Sequence, residues 1–201
     1  MMAEVFKEFT AYVEAGGWVM PPLVLATLVL WFAIGYRFAA LKRGTTRDIR
    51  NLVRRFDKGK TPSANGVIVR ALEKGITLRD SGKDELRPYL DDEFFSEERE
   101  IRKFNRLIIT IVSAAPLLGL LGTVIGMIET FDSLGDMSLF SQSGGIAGGI
   151  SQALITTQMG LAVAIPGLIV NGVLRRRQTN IELELAQLKD LLCAESEEDE
   201  D

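Results

Sequence analysis

The sequence predicts an all-α integral membrane protein: three transmembrane helices carrying long cytoplasmic helical extensions. Three observations predict it. Of the 201 residues 47% are hydrophobic although 25% are charged, and the mean hydropathy is positive, so the charges are segregated from long apolar runs. Three stretches, 15–36, 107–128 and 137–174, contain no Asp, Glu, Lys or Arg, and each reaches the roughly 20 residues that a helix needs to cross a bilayer core. Outside them apolar residues recur at helical spacing, as at Ile181, Leu185, Leu188 and Leu192. Composition also removes function classes. Histidine is absent and Cys193 is the single cysteine, which excludes His-based acid–base catalysis, most zinc sites and an internal disulfide. No nucleophile is assembled with a base, so neither enzyme activity, metal, cofactor nor nucleic-acid partner is expected.

The elements follow in order. Residues 1–14 are expected outside the membrane, on the non-cytoplasmic side. They carry one lysine against three glutamates, counted through Gly17, with no small-residue cleavage site, so the segment does not resemble a secretory signal and the first span is expected to be retained. Residues 15–36 form the first transmembrane helix. The 37–106 segment then holds 18 Lys or Arg, the loop at 132–145 holds none, and "RRR" at 175–177 closes the third span. This asymmetry predicts an N-terminus outside and a cytoplasmic C-terminus.

Within the cytoplasmic 37–106 domain, "TTRDIRNLVRRFDKGK" reads as an amphipathic helix, "TPSANGV" as a turn into a second, and "SGKDELRP" as a break before a longer one. Leu90, Phe94, Ile101, Phe104 and Ile108 keep a roughly helical period, which predicts that the second membrane helix (107–131) begins well inside the cytoplasm without interruption. After the 132–145 loop, "MSLFSQSGG" has turn composition. The third helix (146–174) is therefore expected to start near Gly144 and to run on beyond the arginines. The 175–201 segment ends in "ESEEDED", expected to be a solvated, disordered tail; Cys193 receives no role.

Small residues mark the two long spans. Gly119, Gly122 and Gly126 share one helix face, the last two as a GxxxG pair, and Gly149, Ala153, Thr157, Gly160, Ala164 and Gly167 form a matching stripe. Pro116 and Pro166 belong with these packing positions. A three-helix chain has too few neighbours to cover both faces, so a homo-oligomeric ring in contact with membrane lipid is expected.

Polar residues in "ISQALITTQMG" (150–160) need another explanation. An unpartnered amide or hydroxyl in hydrocarbon costs on the order of 4–8 kcal/mol by the harsher scales. Serine and threonine can bond their own helix carbonyls. Gln152 cannot, and it needs a partner chain or water. Ser151, Gln152, Thr156 and Thr157, with Thr123 of the second span, are therefore candidate pore-lining residues, their polar groups expected on one side of the helix. Neither long span carries a mid-membrane carboxylate, so a proton path needs one from another subunit. Glu129, at the outer end of the second span, reads as an interfacial charge.

"AAPLLGLLGTVIGMIETF" (114–131) followed by "GGISQALITTQMGLAVAIPGLIVNGVLRRR" (148–177) resembles the MotA/TolQ/ExbB proton channel family, nearest to ExbB and TolQ. The resemblance implies a ring, typically of five subunits, around the single-span helices of an ExbD- or TolR-like partner whose aspartate carries the proton. It further implies an elongated TonB- or TolA-like third protein and a bacterial inner-membrane location, where the proton motive force is turned into mechanical work. Thr123 in "GLLGTV" and Thr157 in "ITTQMG" match the family's pore threonines, and Pro116 its "AP" motif. Gln152 stands where ExbB-like proteins often carry a glutamate. Alternatives are a sodium-driven stator of the same family and a non-conducting membrane scaffold.

Overall fold

The computed structural model describes residues 2–44, 49–57, 66–81, 86–135 and 143–198. Seven α-helices account for nearly all of them: α1 (Met2–Ala15), α2 (Met20–Ala40), α3 (Ile49–Asp57), α4 (Val67–Arg79), α5 (Leu86–Arg102), α6 (Asn105–Gly135) and α7 (Ser143–Glu198). Three are long and apolar enough to span a membrane, so the chain is a multi-pass membrane protein. The chain divides into two compact units, one of Met1–Ile34 with Arg106–Asn171, the other of Gly35–Asn105 with Gly172–Asp201.

In the first unit, α1 leads through Gly16 and a short 3-10 turn (Gly17–Val19) into α2. The sequence assigned no secondary structure to 1–14, and α1 fills it. Pro21 and Pro22 fall in the first turn of α2, where a missing N–H breaks no helical bond. Helices α6 and α7 pack closely, and the small residues are the reason. A Cβ on Gly119 would lie 3.0 Å from the Thr156 carbonyl oxygen, one on Gly126 2.5 Å from that of Gly149, and one on Gly160 2.7 Å from that of Ala115. Residue numbers rise on one helix as they fall on the other, so the pair is antiparallel. The two small faces thus cover each other inside one chain, contrary to the expectation that they need other subunits. An antiparallel hairpin supplies the second helix itself. What remains exposed is bulky and apolar, including Leu117, Leu120, Leu121, Leu154, Leu161 and Leu168. Leu30 of α2 completes the packing against Gly167, where Val112 also meets it.

The second unit is a helical bundle. Buried Ile49, Leu52 and Val53 of α3, Val67, Ile68, Ala71 and Leu72 of α4, Leu90, Phe94 and Ile101 of α5, and Ile181, Leu185, Leu188 and Leu192 of α7 form its core. The stripe expected beyond the arginines is buried as one face. At 56 residues α7 is about 84 Å long, well beyond the roughly 30 Å that a hydrocarbon core requires. Buried Glu97 accepts hydrogen bonds from Arg70 (2.9 Å) and pairs with Lys74 (3.4 Å).

Two further expectations differ from the structure. The helix does not run unbroken from Leu90 to Ile108: Phe104 has φ +61 and separates α5 from α6. Ile101 and Ile108 are both buried seven residues apart, so the apolar period passes through the break without registering it. The break is held by contacts. The Phe104 ring meets Tyr36 edge-to-face at 5.1 Å and Lys103 Nζ lies over both rings, while buried Arg37 donates to Asn105 Oδ1 (2.9 Å) and Gln178 Oε1. The acidic end, too, continues α7 as helix to Glu198, because glutamate is a good helix former and elongation from an existing turn is easy. The turn residues at 58–65, the break residues 82–85, the loop residues 136–142 and the last three residues lie outside the described ones.

Candidate ion-path site

Helical geometry sorts the polar residues of the α6–α7 pair. Thr156 is at 0% exposure, its side chain filling the space over Gly122, and its hydroxyl donates to Gln152 or Ala153 of its own helix (3.0 Å each). It is the contact residue. Thr156, and not Thr157 as the stripe in the sequence suggested, belongs to the small face.

An antiparallel pair has a two-fold relation, so the residue after a contact residue turns to the same flank on each helix. Thr123 follows Gly122 and Thr157 follows Thr156. Both are half-buried on that flank. The Thr123 hydroxyl donates to Leu120 O (2.6 Å), and that of Thr157 lies 3.1 Å from Ala153 O and 3.3 Å from Gly119 O across the seam. Each hydroxyl has one proton, already placed on a backbone carbonyl, and keeps its lone pairs available to an incoming donor.

Gln152 goes elsewhere. It precedes Thr157 by five residues, roughly 140° around the helix at 3.6 residues per turn. The expected one-sided cluster is therefore split. Gln152 Nε2 donates to Glu129 Oε1 of α6 (3.2 Å), and its amide rests on Gly17, where a Cβ would lie 2.5 Å from Nε2. Gly17 has φ +62, a conformation that glycine adopts freely. The amide thus finds its partner inside the chain rather than in a second one. Ser151 is exposed on the face turned away from α6, as is Gln158. Pro116 and Pro166 sit half-buried inside their helices, each leaving one carbonyl of the preceding turn without its usual donor.

Sequence reasoning missed Glu129 and Gly17 as partners of Gln152. The signal was available in the register: matching Gly126 to Gly149 and Ala153 brings residues one turn further along α6 beside the start of α7.

A sequence profile described as the MotA/TolQ/ExbB proton channel family matches residues 63–187, well over half of the chain. An ExbB-like biopolymer transport protein of Synechocystis sp. is 31% identical over 172 residues, 80% of this chain and 82% of its own length. The biopolymer transport protein ExbB of Aquifex aeolicus is 40% identical over 80 residues, 40% of this chain and 53% of its own. An ExbB-like protein of Helicobacter pylori is 41% identical over 80 residues, with the same shares. With its antiparallel glycine-faced helix pair and the two threonines beside that seam, the chain belongs to the MotA/TolQ/ExbB proton channel family.

Proposed function

We propose that the chain is the ring-forming subunit of a proton-driven stator in the bacterial inner membrane, its N-terminus periplasmic and its C-terminus cytoplasmic. Five copies would surround a single-span ExbD- or TolR-like partner whose membrane aspartate carries the proton, and a TonB- or TolA-like protein would take the work to the envelope. The observation that supports this most is the placing of Thr123 and Thr157 together on one flank of the α6–α7 seam, within the region matched by the family profile.

The chemistry follows from what these side chains offer. A carboxylate in a low-dielectric setting is destabilised when charged unless hydrogen bonds offset its desolvation. As placed, the hydroxyl lone pairs accept from a neutral carboxyl, and rotation of the O–H away from its backbone carbonyl lets the same group donate to the charged one, so the proton can arrive and leave. Thr156 is assigned to helix packing and not to the path. Gln152 and Ser151 lie off the threonine flank and contribute at the outer end of α7.

A non-conducting scaffold is the competing reading, favoured by the fact that both threonine hydroxyls already bond carbonyls of their own chain. Proton uptake by vesicles holding the chain with its partner decides between them. Native mass measurement gives the stoichiometry: a species that stays monomeric with and without the partner would overturn the ring.

A further inference from the structure

Resting on that reading, we propose that Glu129 is the proton-uptake group at the outer end of the path and that Gln152 is its positioning residue. Among the described residues, the stretches Gly17–Ile34 of the first span, 105–135 and 146–174 carry two acidic side chains, Glu129 and Asp132, both on the last turns of α6. Of the two, Glu129 accepts a hydrogen bond from α7, donated by Gln152 Nε2 at 3.2 Å.

The pairing is built by backbone and not by chance side-chain reach. Around it α6 and α7 are at close approach, Gly126 lying against Gly149 and Ala153 and the Thr130 hydroxyl filling the space over Gly149. Thr130 is buried, and its hydroxyl donates to Gly126 O at 2.8 Å. This fixes the start of α7 beside the end of α6, and with it the distance between positions 152 and 129. On the third side stands the corner between α1 and α2, where Gly17 leaves room for the amide and no larger residue could.

An amide suits a carboxyl group in both of its protonation states. Its N–H donates to the charged carboxylate, as seen here. Once the acid has taken a proton, its O–H can donate to the amide oxygen while the N–H still serves the acid carbonyl, so both states stay hydrogen-bonded. A glutamate at position 152 would instead place two like charges at hydrogen-bond distance. Among the described residues, Asp132 stands one turn further along α6 from Glu129, the corner at Gly17–Val19 brings no charge and has Glu14 as its nearest acid in sequence, and α7 brings none between 146 and 174. The proton comes from outer water to a Glu129 carboxylate oxygen and leaves from the same oxygen to water at the mouth of the path, since Glu129 and Gln152 stand off the threonine flank that faces the partner's carboxylate.

The test has two measurements on the full-length assembly with its partner in lipid vesicles. Infrared difference spectra with isotope-labelled glutamate should show a carboxylate band that Glu129→Gln abolishes and whose frequency Gln152→Leu shifts, since the Gln152 N–H donates to that carboxylate. Proton uptake should fall at least tenfold in Glu129→Gln and recover in the exchanged double variant Glu129→Gln, Gln152→Glu, which keeps one carboxyl at the pair. A Glu129 band unmoved by Gln152→Leu would overturn the pairing. Full proton uptake by Glu129→Gln, in a complex whose parent conducts, would overturn the uptake role while leaving the stator function intact. A parent complex that conducts nothing overturns the stator function and the uptake role together, whereas the infrared band still decides the pairing.

Discussion

The Thr157 hydroxyl lies 3.3 Å from the carbonyl oxygen of Gly119, on the neighbouring membrane helix. A Cβ on Gly119 would stand 3.2 Å from the Thr157 Cα, so the reach exists only because position 119 has no side chain. We expect Thr157→Val and Thr123→Val to lower proton-coupled work about tenfold or more while the ring and its partner still co-purify. A hydrogen bond to a charged group is worth about 1.5–3 kcal/mol, and 1.4 kcal/mol is a factor of ten. Uptake at constant pH, with sodium present and then omitted, separates a proton path from a sodium path. Unchanged transport in both variants would leave the threonines as packing residues and favour the scaffold.

Gly122 predicts a different defect. Its missing side chain is the space occupied by Thr156, so Gly122→Val should destabilise the α6–α7 pair, with overpacking of this kind costing about 1–3 kcal/mol. Thr156→Val keeps the shape and removes a hydroxyl bonded only within its own helix, and should melt within about 1 kcal/mol of the parent, the net worth of one such hydrogen bond. Thermal unfolding in detergent compares them. Equal melting of the two variants would contradict the packing described.

Orientation can be read with the chain's own chemistry. Cys193 is the single cysteine, so a Cys193→Ser background accepts new ones without ambiguity. Cysteines placed in 132–145 should react with impermeant thiol reagents in intact cells, and those in 49–57 only after permeabilisation. The reverse pattern would invert the topology and, with it, the side from which Glu129 is reached.

How much of this was legible in the sequence depends on the range over which each cause acts. Membrane spans are written in runs of twenty residues without a charge, and the glycine faces in spacings of three and four; both survive into the structure. Which partner a glycine face has is not local information. The faces of α6 and α7 meet each other because the chain turns back between them, and the sequence alone suggested other subunits. The break at Phe104 is a single dihedral held by Tyr36, some 68 residues earlier, and no periodicity records it. The separation of Gln152 from Thr157 was within reach, since five residues are not a helical repeat. Its pairing with Glu129 needed the register between two helices.

Outside the membrane, Lys189 of α7 ties two turns of α5 through Asp91 (2.7 Å) and Glu98 (3.1 Å), with its ammonium 5.6 Å from the Phe94 ring centre. Burial pulls the lysine's pKa down, and the hydrogen bonds it donates to Asp91 and Glu98, with the charges of those carboxylates, more than offset it, so the net shift is upward from 10.5. The Asp91 carboxyl is held below its ordinary value of 3.8, chiefly by the hydrogen bond from Lys189. The signs then set the window. A depressed carboxylate contributes stability above its unfolded pKa and loses it as pH falls through the folded one; a raised lysine contributes below its unfolded pKa and loses it as pH rises through the folded one. The contribution is thus whole across neutral pH and disappears at both extremes. We expect Lys189→Met, which keeps the apolar stem against Phe94, to cost about 0.5–1 kcal/mol near pH 7, a small value because the Asp91 side chain is 56% exposed. Melts of the full chain in detergent should show the gap between parent and variant closing below about pH 4, where Asp91 takes up its proton. A gap of constant size down to pH 2 would assign the loss to packing and not to the ion pairs.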